Sequence, residues 1–297
     1  MQALLSMALS LLISLTGIGP WAAFKVPDPP EVPAAKDTLV QEITVMSFNL
    51  KTTKTGARGI PARLNGVVQT IRNEKPDSFG LQEAHAQWRD TLLGELGGQY
   101  AIACGRGRSL ESAEGAPIFY RKDKYELVKE EIFWLSPTPG RPSYGWGASF
   151  PRVAGYALLR DKKTGFAYVH INAHFDFLSG TARTNSAWMI AECARDMRLP
   201  VVFTADMNAE PGTKPTQVLE AGGLADLRKA AAVTDTGPTF HNYGGKLVGG
   251  TVLDYIYANH FLRKAKEFKV IRDEYDGMYP SDHFAAAATL TLANGKE

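Results

Sequence analysis

Short apolar runs alternate with amphipathic segments along the chain from about residue 43 to residue 292. Apolar side chains that recur three or four residues apart are typical of one helix face, and this spacing predicts helices over 64–71, 88–96, 187–197 and 213–221. Runs rich in Val, Ile, Phe and Tyr, bounded by Gly, Pro, Asn or Asp, are typical of strands. They predict strands over 43–48, 78–81, 100–103, 117–120, 125–133, 153–159, 166–175, 201–205, 252–257, 265–271 and 284–292.

This order of elements combines hairpins with crossover helices, which excludes a plain Rossmann arrangement. It favours an α/β fold built as a four-layered sandwich, in which two mixed β-sheets pack face to face with helices outside. The sequence shows no internal repeat and no linker within residues 39–294. We therefore expect one domain over residues 39–294, and we expect it to be a monomer.

The N-terminal segment differs from the rest of the chain. Residues 3–18 contain no charged side chain, and this run is too short for a comfortable membrane span but has the length of a signal-peptide apolar region. Because no Lys or Arg precedes it and no clear cleavage site precedes Phe24, an uncleaved anchor stays open. We expect residues 1–24 to be a signal peptide or N-terminal anchor and residues 25–38 to be a Pro-rich linker. The protein is therefore expected to be exported, periplasmic or extracellular, and a membrane tether through the N-terminus stays open.

The overall composition limits the choice of partners. The chain is 44% hydrophobic and 22% charged, with a formal net charge of +2, as in an ordinary globular protein. A dedicated nucleic-acid binder usually carries a clear basic excess, so we expect any binding of nucleic acid to be weak and sensitive to salt. Basic residues gather locally, for example around Lys51, Arg58 and Arg63, and we interpret such clusters as solvent-exposed faces.

The sequence contains two cysteines, Cys104 and Cys193. In an exported protein they could form a disulfide, but only if their Cα atoms lie close together, which a sequence does not show. Cys193 falls within a predicted helix and Cys104 at a strand end, which favours two buried thiols over a bridge. Their spacing suits no zinc motif.

Two predicted strands carry polar side chains along one whole face. Alternate residues of a strand point to opposite sides, so the apolar face of residues 167–175 lies opposite Tyr168, His170, Asn172, His174 and Asp176. In the following strand, one face carries Val202, Thr204, Asp206 and Asn208. Buried polar groups are costly unless they are hydrogen-bonded or charged for a purpose, which indicates a functional surface.

Acidic, amide and imidazole groups recur where the predicted strands should end. These clusters are Asn49, Gln82-Glu83, Asn172 with His174 and Asp176, Asp206 with Asn208, and Ser281-Asp282-His283. Oxygen ligands on rigid elements suit hard cations such as Mg²⁺, and phosphoryl chemistry needs such a cation with positioned acids, bases and amides. The clusters therefore predict a metal-dependent phosphoester hydrolase.

These clusters and their flanking residues resemble the endonuclease/exonuclease/phosphatase family, which has the deoxyribonuclease-I-like fold. The resemblance spans residues 43–292 and is carried by Phe48-Asn49, Gln82-Glu83, Pro117-Ile118-Phe119-Tyr120-Arg121, Asn172-Ala173-His174, Asp206-Met207-Asn208, Leu253-Asp254-Tyr255-Ile256 and Ser281-Asp282-His283. Residues 133–136 and 144–147 further resemble a compact bacterial branch of the family. That branch is expected to have His-Leu-Asp-His where this chain has His174-Phe175-Asp176-Phe177, and this departure leaves the choice of substrate open.

The resemblance implies roles for several of these residues. It implies a site for Mg²⁺ or Mn²⁺ formed by Asn49, Glu83 and Asp282. Asp206 would orient or deprotonate the attacking water, and Asn208 would position water and a phosphate oxygen. Arg152 resembles an arginine that grips a substrate phosphate, a geometry that suits a guanidinium. We expect Asp176 and Arg183 to flank the same cleft as an ion pair.

The resemblance also implies two histidines at the phosphate, each with a carboxylate partner. His283 would contact the scissile phosphate as a general acid or as an electrostatic clamp, and Asp254 would hold its tautomer and raise its pKa. His174 corresponds to the second active-site histidine, and Glu114 to its carboxylate partner.

The expected activity is that of a phosphodiesterase, with a nuclease as the prototype, acting by in-line attack of an activated water. The alternative is a phosphomonoesterase acting on sugar or inositol phosphates, which would use the same central residues. The two classes differ at the rim, because nucleases need extended basic contacts along the backbone. A distant alternative is a binding module that has lost catalysis, which is disfavoured because every central position holds a competent residue.

Overall fold

The computed structural model describes residues 39–105, 115–244 and 251–294. The expected leader and linker, residues 1–38, and Glu114 lie outside the described residues and stay predictions. The helices are α1 (Ile60–Glu74), α2 (Ala86–Leu96), α3 (Gly180–Asp196), α4 (Lys214–Ala221) and α5 (Leu227–Ala230). The strands are β1 (Val40–Asn49), β2 (Ser78–Gln82), β3 (Tyr100–Ala103), β4 (Ile118–Arg121), β5 (Tyr125–Trp134), β6 (Val153–Asp161), β7 (Ala167–His174), β8 (Val201–Asp206), β9 (Ala225–Asp226), β10 (Val233–Thr234), β11 (Asp254–Ala258), β12 (Leu262–Ile271) and β13 (Ala285–Ala293).

The strands form two mixed sheets. The seven-stranded sheet has the order β10-β12-β13-β1-β2-β4-β3, and the six-stranded sheet has the order β5-β6-β7-β8-β11-β9. β1 and β2 are parallel and β13 is antiparallel to β1, so β1 and β2 end where β13 begins. β7 and β8 are parallel, and β6 and β11 are antiparallel to them. The ends of β7 and β8 therefore lie beside the starts of β6 and β11.

Three apolar clusters fill the interfaces between the layers of the molecule. One joins β1 and β2 to α1 and α2, one lies between the two sheets, and one joins β7 and β8 to α3 and α4. The predicted four-layered sandwich is thereby confirmed. Val169 and Ile171 of β7 belong to the cluster under the helices, whereas Tyr168 lies between the sheets, as the alternation of residues in the sequence predicts. Within residues 39–105, 115–244 and 251–294, no helix is long and apolar enough to cross a membrane.

Polar side chains also meet between the two sheets. His170 of β7 lies 2.7 Å from Ser78 Oγ of β2 and 2.8 Å from Thr204 Oγ1 of β8. Asn172 Oδ1 accepts hydrogen bonds from Gln82 Nε2 at 2.8 Å and from Thr204 Oγ1 at 3.0 Å. These buried groups satisfy one another's hydrogen bonds, which removes most of the cost of their burial. We call this group the inter-sheet seam: Ser78, Gln82, His170, Asn172 and Thr204.

Glycine is required where the backbone approaches these side chains closely. A Cβ atom on Gly80 would lie 2.3 Å from Asn172 Oδ1, and one on Gly155 would lie 2.9 Å from Cys104 Sγ.

Cys104 and Cys193 are both buried free thiols, which confirms the interpretation of the two cysteines as buried thiols rather than a disulfide. Burial raises the pKa of both thiols, so neither is a reactive thiolate at neutral pH.

The interpretation of the basic residues near Lys51 as an exposed face is wrong for Arg63. Its side chain is 1% exposed, and its guanidinium donates to the carbonyl oxygens of Leu50, of Arg58 at 2.7 Å and of Pro280 at 2.9 Å. The irregular loop after β1 leaves carbonyl groups without partners in a sheet. The five N–H groups of an arginine can satisfy several of them at once, so Arg63 holds this loop in place.

Candidate active site

The predicted site residues collect at one edge of the sandwich, and each sheet supplies part of the set. The seven-stranded sheet supplies Asn49 at the end of β1, Glu83 after β2, and Asp282 and His283 before β13. The six-stranded sheet supplies His174 at the end of β7, Asp206 at the end of β8, and Asp254 at the start of β11. Hydrogen bonds connect residues of the two sets, as described below, so they form one site.

His283 and Asp254 form a buried pair across the two sheets. His283 Nδ1 lies 2.8 Å from Asp254 Oδ2, and the backbone N–H of Asp254 donates to Thr239 Oγ1 at 3.0 Å. Burial alone would lower the pKa of His283, but the Asp254 carboxylate, together with Asp206 and Asp282, outweighs burial and raises this pKa to about 10. The imidazole is therefore positively charged at neutral pH, with Nε2–H available to a ligand.

Asp206 lies at the centre of the site. Its Oδ2 atom accepts a hydrogen bond from Asn49 Nδ2 at 2.8 Å and lies 3.6 Å from His174 Nε2 and 3.8 Å from His283 Nε2. Its Oδ1 atom accepts from the backbone N–H of Asn208 at 2.9 Å. One carboxylate oxygen thus faces both histidines, while the other fixes the orientation of the side chain.

Asn208 connects the end of β8 to the end of β7. Its backbone is in the left-handed region, with a φ of 46°, a conformation that asparagine tolerates better than most residues. Its Nδ2 atom lies 3.1 Å from His174 Nε2 and donates to the carbonyl oxygen of Phe175 at 3.1 Å. Because an amide NH₂ group only donates, His174 accepts through Nε2 and carries its proton on Nδ1. That proton suits the carboxylate partner predicted at Glu114, which lies outside the described residues.

The carboxylates of Asp282 and Glu83 converge on the Lys51 ammonium. The Lys51 ammonium lies 3.0 Å from Asp282 Oδ2, and Glu83 is also close enough to raise the pKa of Lys51. Burial lowers this pKa, but the two carboxylates outweigh burial, and the net shift is upward. Asn49 donates to Glu83 Oε1 at 3.3 Å, and Ser281 Oγ donates to the carbonyl oxygen of Asn49 at 2.6 Å.

This donor set fits the divalent cation that the sequence predicts. The carboxylates of Glu83 and Asp282 offer only oxygen, which hard cations such as Mg²⁺ prefer, and their shared positive neighbour shows that the position favours a cation. Asp206, Asp254 and His283 also offer ligand atoms within 4.8 Å of one another. Of these, His283 and Asp254 are already bonded to each other, and the expected site at Glu83, Asp282 and Asn49 stays a prediction.

Arg152 lies beside the site, directly before β6. Its Nε atom is 3.8 Å from Asp176 Oδ2, and the Asp176 carboxylate also accepts hydrogen bonds from Ser149 and from the backbone at the start of α3. The expected ion pair between Asp176 and Arg183 is wrong, because Arg183 Nη1 donates to the backbone carbonyl of Asp176, at 2.9 Å. The carboxylate is already used to fix the loop before α3.

Lys51 lies in the site although its place in the sequence does not indicate such a role. It follows Asn49 by two residues, and its backbone N–H donates to Asn49 Oδ1 at 3.0 Å. Its φ is 54°, and its carbonyl accepts hydrogen bonds from Arg63 and from Trp88. A turn held this firmly points the ammonium at Asp282, but nothing in the residue pattern reveals such a conformation.

Comparison with known proteins agrees with this geometry. The model of the Endonuclease/Exonuclease/phosphatase family matches residues 46–283. The chain belongs to this family. A comparison with curated proteins found no match.

Solved structures of family members share the whole fold. A Bacteroides thetaiotaomicron endonuclease/exonuclease/phosphatase family protein is 28% identical, with a TM-score of 0.80 over 86% of this chain and 99% of that chain. A mannosyl-6-phosphatase of the same organism is 28% identical, with a TM-score of 0.76 over 84% of this chain and 99% of that chain. D. rerio TDP2 complexed with single strand DNA product is 17% identical, with a TM-score of 0.67 over 84% of this chain and 98% of that chain. This last likeness supports the fold alone.

Proposed function

We propose that the protein is a divalent-metal-dependent hydrolase that cleaves a phosphoester bond by in-line attack of an activated water. The observation that carries this proposal is the Asp206 carboxylate oxygen, which lies 3.6 Å from His174 Nε2 and 3.8 Å from His283 Nε2. A buried acceptor between two imidazoles suits a water and a phosphoryl group held side by side. Membership of the endonuclease/exonuclease/phosphatase family supports the same reaction class.

The roles follow from the positions of the side chains. Asp206 orients the attacking water and accepts its proton as the water oxygen bonds to phosphorus. The bond from phosphorus to the ester oxygen breaks on the opposite side, and the departing oxygen takes a proton from solvent. A phosphoryl oxygen at the end of β7 would replace His174 Nε2 as an acceptor of Asn208 Nδ2, and His174 would donate to that oxygen once its Nε2 carries a proton. Glu83 and Asp282 would hold Mg²⁺ or Mn²⁺, which when bound supplies positive charge that polarises the phosphoryl group.

The geometry favours one of the two roles that the sequence leaves open for His283. In-line displacement places the attacking and leaving oxygens on opposite sides of phosphorus. Nε2 of His283 lies 3.8 Å from Asp206 Oδ2, on the side of the attacking water. A charged imidazole there serves a phosphoryl oxygen as an electrostatic clamp, rather than protonating the leaving oxygen.

Two substrate classes fit this machinery. A phosphodiester, with nucleic acid as the prototype, is the class that the sequence favours. A sugar phosphomonoester is the second candidate, and it is supported by the mannosyl-6-phosphatase, which is 28% identical over 84% of this chain. The net charge of +2 also gives long nucleic acid little electrostatic hold.

The decisive experiment compares bis(4-nitrophenyl) phosphate, 4-nitrophenyl phosphate and plasmid DNA, each with Mg²⁺, with Mn²⁺ and with excess chelator. Activity should vanish with chelator and return with either ion. Asp206→Asn should lower kcat by about 10²-fold or more, as expected for a lost acid–base group. Asp235→Asn is the control, since Asp235 pairs with Arg272 outside the site and its loss should leave kcat unchanged. Full activity in chelator, or wild-type kcat in Asp206→Asn, would refute the proposal.

A further inference from the structure

A short irregular segment, residues 237–240, connects the start of β11 to the start of β13, and we call it the strap. Its backbone pairs through Phe240 with Thr251, which precedes β11, and with His283, which precedes β13. Thr239, in the middle of the strap, is fully buried, and the mechanism described above gives it no part in the chemistry. The strap therefore joins the two chain segments that carry Asp254 and His283.

Thr239 forms hydrogen bonds with both of those segments. Its Oγ1 atom accepts from the backbone N–H groups of Leu253 and Asp254, each at 3.0 Å. Its carbonyl oxygen accepts from the backbone N–H of Phe284, the residue after His283, at 2.7 Å. One residue thus fixes the backbone of the carboxylate on one sheet and the backbone beside the imidazole on the other.

Arg228 holds the first part of the strap. Its guanidinium is buried, lies over the Phe268 ring at 4.9 Å, and donates from Nη1 to the carbonyl oxygen of Gly237 at 2.7 Å. The Asp226 carboxylate accepts from the backbone N–H of Arg228 at 3.0 Å, which fixes the start of α5. Burial of a guanidinium is costly, and this one bonds the strap. The position of Gly237, and with it that of Thr239 two residues later, is therefore set from α5.

The geometry of the histidine–carboxylate pair depends on this arrangement. Asp254 Oδ2 lies 2.8 Å from His283 Nδ1, and such a hydrogen bond weakens steeply when its atoms tilt out of line. Without the Thr239 hydroxyl, two buried N–H groups at the start of β11 would lose their acceptor, which favours a displaced backbone. A displacement of about 1 Å away from the reacting atoms can cost an enzyme about 10²-fold in rate.

We propose that Thr239 is a positioning residue for the reaction: its hydroxyl and its carbonyl set the distance between Asp254 and His283 from a place that no substrate reaches. Arg228 supports it by holding the strap. This inference rests on the proposed function, because the pair that Thr239 positions acts there on a phosphoryl oxygen. The bond between His283 Nδ1 and Asp254 Oδ2 can nevertheless be observed without turnover.

Paired substitutions separate the hydroxyl of Thr239 from the shape of its side chain. Thr239→Val keeps the shape and removes the acceptor, so kcat for the aryl phosphate that the wild type cleaves faster should fall about tenfold or more, with KM changed by less than about twofold. Thr239→Ser keeps the hydroxyl and should stay within about threefold of the wild type. Thr70→Val is the matched control, because Thr70 is also buried but bonds the Gly66 carbonyl within α1. It should leave kcat unchanged.

A double-substitution cycle distinguishes positioning from a general loss of structure. In the His283→Gln background the imidazole is gone, so adding Thr239→Val should lower kcat by less than about twofold. A further tenfold loss in that background, or a kcat of Thr239→Ser as low as that of Thr239→Val, would refute the positioning role. If the valine variant does not fold, Thr239→Cys takes its place, since sulfur is only a weak acceptor, and the same outcomes apply to it.

Proton NMR of the protein with labelled histidines gives a readout that needs no turnover. The proton between His283 and Asp254 should give a downfield signal, identified by its disappearance in His283→Gln. Thr239→Val should shift or broaden this signal, whereas Thr239→Ser and Thr70→Val should preserve it. If the signal responds in this way but neither metal supports hydrolysis of any phosphoester, the proposed function fails and the positioning role stands. An unchanged signal in Thr239→Val would refute the positioning role, while hydrolysis by the wild type would leave the proposed function standing.

Discussion

Replacing Asp254 by Asn isolates the electrostatic contribution of the histidine–carboxylate pair. The amide keeps a hydrogen-bond acceptor for His283 Nδ1 but removes the negative charge 2.8 Å away. With charge centres about 4 Å apart and an effective dielectric constant of about 20, that charge contributes about 4 kcal/mol, which corresponds to about three pKa units. The pKa of His283, raised to about 10 in the wild type, should fall to about 7.

Whether activity falls at high or at low pH depends on which protonation state of His283 is active. A charged clamp works while His283 is protonated, so activity is kept below its pKa and lost as the pH rises through it. A pKa of about 7 leaves about 3% of the imidazole charged at about pH 8.5, which predicts a roughly 30-fold loss in kcat/KM at that pH. At about pH 6 the same variant should stay within about twofold of the wild type.

The assay is a pH profile of kcat/KM with a soluble aryl phosphate and saturating Mg²⁺, together with a thermal unfolding curve for each variant. Asp235→Asn serves as the surface control, because its carboxylate bonds Arg272, and its profile should match that of the wild type. A loss in Asp254→Asn that is equally large at pH 6 and pH 8.5 would show that Asp254 acts through geometry alone. An unchanged alkaline limb would refute the assignment of His283 as a charged clamp.

Two further predictions concern residues beside the site. Lys51→Met removes the positive charge that competes at Asp282, so Mn²⁺ should bind about tenfold more tightly in calorimetry; unchanged or weaker binding would contradict the placement of the ion. Arg63→Met leaves several buried carbonyls without a donor, and the free energy of unfolding in urea should fall by about 3 kcal/mol. The control Arg72→Met, on the exposed side of the same helix, should stay within about 0.5 kcal/mol; equal losses would refute the structural role of Arg63.

Most strand-end residues of the site could be predicted because strand geometry is periodic and local. The apolar runs before Asn49, Glu83, His174 and Asp206 placed these residues at predicted strand ends, whereas the resemblance to the family brought them into one site. The pairing of Asp254 with His283 needed the resemblance to the family as well, because those residues come from different sheets and lie 29 positions apart.

What could not be predicted depends on irregular backbone. Arg63 looks like a surface cation in the sequence, and its burial follows from where the carbonyls of a loop point, which no periodicity encodes. The direction of the Lys51 side chain depends on a left-handed turn, which is held by hydrogen bonds from Arg63 and Trp88 to the Lys51 carbonyl. The sequence paired Asp176 with Arg183. In the structure Arg183 donates to the backbone carbonyl of Asp176, and the Asp176 carboxylate lies near Arg152.

The inter-sheet seam has a consequence for how this protein can diverge. An apolar interface between sheets tolerates small sliding movements, whereas bonds such as those from His170 to Ser78 and Thr204 hold at only one register. The spacing between the two halves of the reaction centre is therefore set several residues below the surface, at positions that never meet a substrate. Loops at the rim can be exchanged without altering that spacing. New specificities can thus arise on this scaffold through changes in the rim loops, while the seam keeps the two halves of the reaction centre in register.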